Sequence, residues 1–270
     1  MHRGIYPDAA TSLTRGSLSF ATVVVIACLS VTTAAAEETS PQAILKAMAD
    51  YVSRQENLSL KYDADIEVVT PAVEKIQFSA SGDIIVSRPN KFRVSRTGGY
   101  ADVELISDGA TVTIFDRGGN RFAQVTSSET LDQVVDRLRT DASLELPGAD
   151  LLLSKPYDEL MAGVLEAKHI GRGVVEGVEC EHLAFRNLDT DWQIWVEVGD
   201  RPVPRKYVIT SKAVGGAPQY SLRLRDWKTG VSHASDAFAF KPPDGSSGVS
   251  ISLLKDIDEI PDGVVPGGTK

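Results

Sequence analysis

Two neighbouring stretches alternate apolar and polar residues more strictly than any other part of this chain. From Leu58 to Val68, Leu58, Leu60, Tyr62, Ala64, Ile66 and Val68 fall on one parity, and Ser59, Lys61, Asp63, Asp65 and Glu67 on the other. Side chains on a β-strand point to alternate faces, so the pattern predicts a strand with one apolar and one wet face. After a turn at Pro71 the pattern resumes from Glu74 to Ser87, with Ile76, Phe78, Ala80, Gly82, Ile84 and Val86 on the apolar side. Gly82 inside so long a run predicts a bend or bulge that curls the sheet. Two long strands of this kind commit the chain to an antiparallel sheet whose apolar face another layer must cover.

The apolar parity of the second stretch ends in a charge. Ile84, Val86 and Arg88 share a face, and Pro89 then interrupts the ladder because it has no N–H to donate. Beyond the Pro89-Asn90 corner, Phe92 and Val94 restore the apolar face, and Lys91, Arg93 and Ser95 the polar one. A charge at the rim of an apolar face requires a partner or water, since an unpaired buried charge is costly. The expectation is that this face lines an apolar cavity with Arg88 at or near its mouth. The alternative is a structural arginine that snorkels to solvent or pairs with an outer acid such as Asp63.

The rest of the chain supplies more strands and a cover. Ser40 to Arg54 reads as a helix, with Ser40 as N-cap, Pro41 at the first position and Ile44, Leu45, Met48 and Val52 in one stripe. Shorter strands are predicted near Val103–Ser107, Thr111–Asp116 and Arg121–Val125. A second helix carries Leu131, Val134, Val135 and Leu138, and short helices between Pro147 and Gly163 break at Pro156. Strands return around His169–Val175, Val178–Arg186, Trp192–Val198, Arg205–Lys212 and Tyr220–Trp227, with turn chemistry at Glu176-Gly177 and Gly199-Asp200. Val249–Leu254 is a further candidate strand, and residues 261–270 read as a loose tail. About ten or eleven antiparallel strands must curl or close. The predicted fold is mainly β: an incomplete barrel with helices over its concave side, forming a single domain from residue 37 to 260.

The N-terminus reads as an export signal. Arg3 and Arg15 precede an apolar run from Leu18 to Val31, and Ala34-Ala35-Ala36 offers a cleavage site after Ala36. A rival cut at Val25-Ile26-Ala27-Cys28 would leave Cys28 lipidated and the protein anchored to the envelope. Cleavage at Ala36 leaves Cys180 as the only cysteine, so no intramolecular disulfide is expected. The net charge of −9 argues against a nucleic-acid partner, because phosphate binding requires clustered Lys and Arg.

Catalytic patterns are missing. No G-x-S-x-G, H-E-x-x-H, C-x-x-C or phosphate-binding loop occurs in the sequence, so no enzymatic activity, cofactor or metal is expected. Cys180 and His182 share a strand face, but a structural zinc site needs about four ligands, and a small buried thiol beside a hydrogen-bonded histidine is the plainer reading. Trp192 shares its parity with Ile194 and Val196 and is the tryptophan expected to face the cavity; Trp195 faces away. The residues expected to line a ligand are therefore Leu60, Tyr62, Ile66, Phe78, Ile84, Val86, Phe92, Val94 and Trp192, with Arg88 at the mouth.

Gly82-Asp83-Ile84-Ile85-Val86-Ser87-Arg88-Pro89-Asn90-Lys91-Phe92 also resembles a segment of the periplasmic lipoprotein-carrier family (LolA/LolB-like). Leu105–Asp116 resembles that family's next hairpin, and Ala237–Gly245 its C-terminal F-x-F-x-P-P-x-G segment. Ala149–Ser154, Gly177–Arg186 and Asp191–Trp195 are closer to an uncharacterised family of predicted periplasmic proteins, domain-of-unknown-function family 2092. The resemblance implies a half-barrel with a lid, and for Arg88 it implies a bond to lid backbone that holds the cavity closed. The expected function is periplasmic carriage of a hydrophobic ligand: an acyl chain, a lipid or a lipidated protein. The alternative is an envelope sensor or interaction module that binds a membrane-anchored partner.

Overall fold

Ser40 starts the first helix: its backbone is extended, and its hydroxyl accepts the Ala43 N–H at 3.1 Å. Pro41 takes the first helical position, where a missing N–H costs nothing. The helix α1 (Pro41–Ser53) buries Leu45, Met48, Ala49 and Val52 along one stripe. The computed structural model describes residues 40–141, 146–254 and 260. The export signal, Ala36 and Cys28 lie outside the described residues, as does the tail from residue 261.

The two alternating stretches form β1 (Asn57–Val69) and β2 (Lys75–Ser87), which pair along their whole length from Asn57–Ser87 to Val69–Lys75. β3 (Lys91–Gly98), β4 (Asp102–Asp108), β5 (Thr111–Asp116) and β6 (Arg121–Thr126) continue the meander. The chain then leaves the sheet through α2 (Leu131–Asp141), a 3-10 turn at Ala149–Leu152 and α3 (Pro156–Met161). Pro156 opens α3 rather than breaking a longer helix, which is the place in a helix where proline fits. A second meander follows: β7 (Glu166–Val175), β8 (Val178–Arg186), β9 (Thr190–Glu197), β10 (Pro204–Ser211) and β11 (Gln219–Thr229).

β11 returns to pair with the free side of β1, joining the two meanders into one sheet of order β6-β5-β4-β3-β2-β1-β11-β10-β9-β8-β7. These eleven strands are antiparallel, and the two outer strands do not meet, so the curled sheet stays an open half-barrel. A twelfth, β12 (Ser247–Gly248), adds in parallel to β6. It sits two residues earlier than the expected Val249–Leu254 strand. Pairing lasts only while the Asn120 and Phe122 carbonyls accept from Ser247 and Val249; Ile251–Leu253 then turns as a 3-10 helix.

Gly82 is not a bulge. The β1–β2 ladder passes through it without a shift, and β2 pairs with β3 in one register, Ser81 with Thr97 and Ile84 with Val94. Gly82 is instead a point of close approach: a Cβ there would lie 1.9 Å from Ser95 O and 2.6 Å from Tyr62 Cε1. The Tyr62 ring occupies that space and its hydroxyl donates to Ser95 O at 2.9 Å, while the Asp83 N–H goes to Ser95 Oγ at 2.9 Å. The register shifts that bend this sheet lie at Ser59–Lys61 against β11, at Pro204–Lys206 against β9 and at His169–Gly171 against β8.

α1, α2, the 3-10 turn and α3 share one continuous apolar core with a single face of the sheet. On the other face, the segment after β11 runs across β2 to β6. His233 meets Val86 O, Arg93 donates to Ala237 O at 3.0 Å, and Phe240 packs on Phe115 and Phe122.

Candidate functional site

β2 ends at Ser87, and the corner that follows ties three elements together. The Arg88 N–H donates to Glu56 O at 2.8 Å, just beyond α1, and Pro89 O accepts the Leu131 N–H at 2.9 Å, at the start of α2. The Arg88 guanidinium then reaches two further carbonyls: Nε donates to Gln55 O at 3.1 Å and Nη2 to Leu152 O at 2.7 Å. Gln55 follows the C-terminus of α1, and Leu152 ends the 3-10 turn. The Leu152 carbonyl is a helix-end carbonyl of the kind that lacks an intrahelical partner, and Gln55 lies one residue past the α1 C-cap, Arg54. One arginine thus closes the ends of two covering segments onto the rim of the sheet. Burial lowers its pKa from the usual arginine value, and the nearby Asp132 carboxylate opposes that shift.

Two side chains of α2 complete the closure. Asp132 accepts the Ser154 N–H on both carboxylate oxygens at 3.1 Å and also the Ser154 hydroxyl. Arg139 donates to Asp150 Oδ1 at 2.8 Å and to Leu146 O at 3.3 Å. The segment from Leu146 to Ser154 is therefore pinned at four points, and Leu151, Leu152 and Leu153 are driven into the core between them. Asp132→Ala removes the Ser154 anchor, and with it the carboxylate charge near Arg88, but leaves the Arg88 and Arg139 hydrogen bonds to the segment in place. It is expected to raise amide exchange at Ser154 and its neighbours about tenfold, equivalent to roughly 1.4 kcal/mol, without lowering protection in β8 to β10; hydrogen-exchange mass spectrometry reads both.

The structure brings most of the expected lining together. Leu60, Tyr62, Val86, Phe92 and Trp192 are buried in the core beneath the helices, and Ile84 and Val94 pack against it part-buried. Trp192 stacks on Phe185 at 3.9 Å and donates its Nε1–H to Asn187 Oδ1. Ile66 and Phe78 face each other across β1 and β2 farther along the same face, outside the main core; Phe78 packs edge-on against Tyr100. Arg88 does not pair with Asp63, which is held by Arg225 and Ser81. On the opposite face, His182 stacks on Trp195 at 4.0 Å and bonds Gln193, while the buried Cys180 thiol contacts Val178 O at 3.4 Å.

Sequence reasoning missed Asp132 and Arg139, which are indistinguishable from the ordinary polar face of an amphipathic helix.

A search among curated proteins finds no match to the chain. Several solved structures are similar to it. LprF from Mycobacterium bovis is 12% identical, with 72% of this chain and 97% of that one covered and a TM-score of 0.45. The Mycobacterium tuberculosis lipoprotein LppX is 11% identical, covering 71% and 96%, with a TM-score of 0.41. A LolA superfamily protein from Nitrosomonas europaea is 11% identical, covering 74% and 98%, with a TM-score of 0.35. Values this low say nothing of ligand or activity. The family model described as predicted periplasmic protein (DUF2092) matches residues 41–252, most of the chain, and the protein therefore belongs to that periplasmic family.

Proposed function

We propose that the protein is a periplasmic carrier of a hydrophobic ligand, which it holds between the apolar face of the half-barrel and the helical cover. The role is non-catalytic. The observation that carries this reading is the Arg88 latch. A charged side chain at the rim of an apolar face is used to bond two backbone carbonyls of the cover, Gln55 O and Leu152 O. Bonds to backbone carbonyls are few and peripheral, so the cover can open without dismantling the sheet. Each 100 Å² of ligand apolar surface placed on the exposed face contributes about 2.5 kcal/mol, which is enough to offset the loss of one or two such bonds.

Native mass spectrometry of the mature protein, purified from periplasm without detergent, tests this. The expected spectrum shows an adduct that organic solvent removes and whose mass is that of a lipid. The same spectrum reads whether the chain begins at Glu37 or at a lipidated Cys28.

A second reading, a sensor that binds a membrane-anchored partner, has its own support. Leu165, Ile170 and Val174 on or beside the edge strand β7, and Leu188 in the turn after β8, are 70%, 55%, 70% and 79% exposed. Apolar side chains gathered at an open sheet edge suit a protein partner. A bare apo mass from the periplasmic protein would favour this reading over carriage.

A further inference from the structure

The two ends of the sheet are unlike. One is the latched end, where Glu56, Arg88 and Pro89 lie. At the other stand the turns that join β1 to β2, β3 to β4, β8 to β9 and β10 to β11, together with the entry to β7. Three of these turns are neighbours along the sheet. Their tips, Pro71-Ala72-Val73, Gly99-Tyr100 and Ala213 to Ala217, hold no charged residue, in a chain that is 24% charged. Turns are ordinarily rich in Asn, Asp and Ser, and those of the latched end are polar, with Asn90, Glu176 and Asp200-Arg201.

The tips carry large apolar side chains into solvent instead. Val73 is 76% and Tyr100 58% exposed, and Leu165 and Leu188, counted above with the β7 edge, stand at this same end. The row is continuous. The Leu165 N–H donates to Arg186 O at 2.7 Å, Lys212 donates its N–H to Asp189 O and its Nζ to Asn187 O, each at 2.8 Å, and a Cβ on Gly216 would lie 3.2 Å from Val69 at the end of β1. The cations just behind the tips are paired with acids: Lys75 with Glu67, Lys212 with Asp191 and Arg186 with Glu166. This end therefore offers apolar points without an excess of positive charge.

Val73 supplies an independent mark. Its φ is 65°. In that left-handed region the Cβ of an L-residue crowds the following carbonyl oxygen, and a branched Cβ is rare there. The turn is tight, with the Val73 N–H on Thr70 O at 2.8 Å and the Thr70 N–H on Glu74 O at 2.9 Å. Glycine or asparagine would take the same place with less strain. The valine strains the backbone and, exposed as it is, gains little packing to offset that. Strain kept at an exposed position points to a role outside the fold.

We propose that this end of the half-barrel is a membrane-docking rim, and that Val73, Tyr100, Leu165 and Leu188 dip into the interfacial layer of a lipid bilayer. The strand ends of a half-barrel lie along an arc, so turns at one end reach a common flat surface. Separate convex points suit a deformable lipid surface better than a protein partner, which must match each point with a fixed pocket. Tyrosine is well placed at such a boundary, with an apolar ring and a polar tip. The paired cations and the chain's net charge of −9 give no attraction for anionic lipid, so apolar burial drives the contact. The inference goes beyond carriage and does not depend on it, since docking is read on protein that holds no ligand.

The test is flotation of the mature protein, beginning at Glu37 so that no lipid anchor contributes, with vesicles of phosphatidylcholine alone and of phosphatidylcholine mixed with phosphatidylglycerol. The wild type is expected to float with both, no more tightly on the mixed vesicles, and to stay bound as salt is raised. Val73→Asn and Leu188→Ser should each weaken binding about tenfold, and the double variant about a hundredfold. Val73→Asn should also melt no lower than the wild type, because asparagine tolerates the left-handed region, so its lost binding is not lost folding. Val174→Ser is the control: that side chain is as exposed as Leu165 but lies toward the latched end of β7, and its removal should leave binding unchanged. Binding that survives the double variant, or that Val174→Ser weakens equally, overturns the rim. Binding confined to the mixed vesicles and lost in salt overturns it in favour of an electrostatic contact. Wild type that floats with neither vesicle overturns membrane docking and leaves the rim to a protein partner.

Discussion

Arg88→Leu is expected to loosen the helical cover while the sheet stays folded. The substitution removes the donors to Gln55 O and Leu152 O. Bonds from a charged group contribute about 1.5–3 kcal/mol each, but both carbonyls lie at a rim where water can replace part of that. Leucine also recovers some apolar contact. The net local cost is therefore about 2–4 kcal/mol rather than the full sum. Amides of Leu146–Ser154 and of the last turn of α1 should exchange roughly a hundredfold faster, at about 1.4 kcal/mol per tenfold, while β8 to β10 keep their protection. If the protein carries a ligand as proposed, that ligand should leave correspondingly sooner. Arg88→Lys should fall between the two, because one ammonium cannot reproduce a fork that spans two carbonyls. Unchanged exchange across Leu146–Ser154 in a folded Arg88→Leu protein would show that the cover is held by its leucines and not by the latch.

The parts of this fold that rest on periodicity were legible in the sequence. Alternation gave β1 and β2 nearly to the residue, placed Trp192 inside and Trp195 outside, and put Arg88 at the end of an apolar row. Periodicity reports only which face a side chain takes. It carries no trace of what the side chain bonds when the acceptor is backbone. The partners of Arg88 are the carbonyls of Gln55 and Leu152, and any residue types at those positions would offer the same oxygen. The resemblance to lipoprotein carriers supplied the lid-backbone bond that the residues themselves could not. Asp132 and Arg139 were invisible for a related reason: a charged residue on the wet side of a helix looks the same whether it faces solvent or pins a neighbouring segment. β12 was misplaced because two residues are too short for any period to register.

Gly82→Ala is expected to be among the most destabilising single-methyl additions to the sheet. Gly82 does not have a positive φ, so alanine meets no backbone strain there and the whole effect is steric. The added Cβ would stand 1.9 Å from Ser95 O and 2.6 Å from the Tyr62 ring. Swinging the ring aside leaves the overlap with Ser95 O in place, because that atom is backbone in the paired strand β3. Moving β3 away relieves only the overlap with Ser95 O, since Tyr62 belongs to β1, and it stretches the Tyr62 hydroxyl bond to Ser95 O and the Asp83 N–H bond to Ser95 Oγ. Overpacking of this kind costs about 1–3 kcal/mol, and the two strained hydrogen bonds add about 1 kcal/mol each. Alanine returns about 0.5–1 kcal/mol by restricting the unfolded chain. A net loss of about 2–4 kcal/mol corresponds to a fall in Tm of roughly 5–12 °C for a domain of this size. Tyr62→Phe alone should cost about 1 kcal/mol. The double variant should cost less than the sum, since Gly82→Ala has already weakened the bond that Tyr62→Phe removes. Thermal melts of the four proteins decide the matter. Had Gly82 been a bulge, its extra residue would stand clear of the ladder and alanine would be nearly neutral, so a Tm within about 2 °C of the wild type would restore the bulge and remove the close approach of Tyr62 and Ser95 as the reason for the glycine.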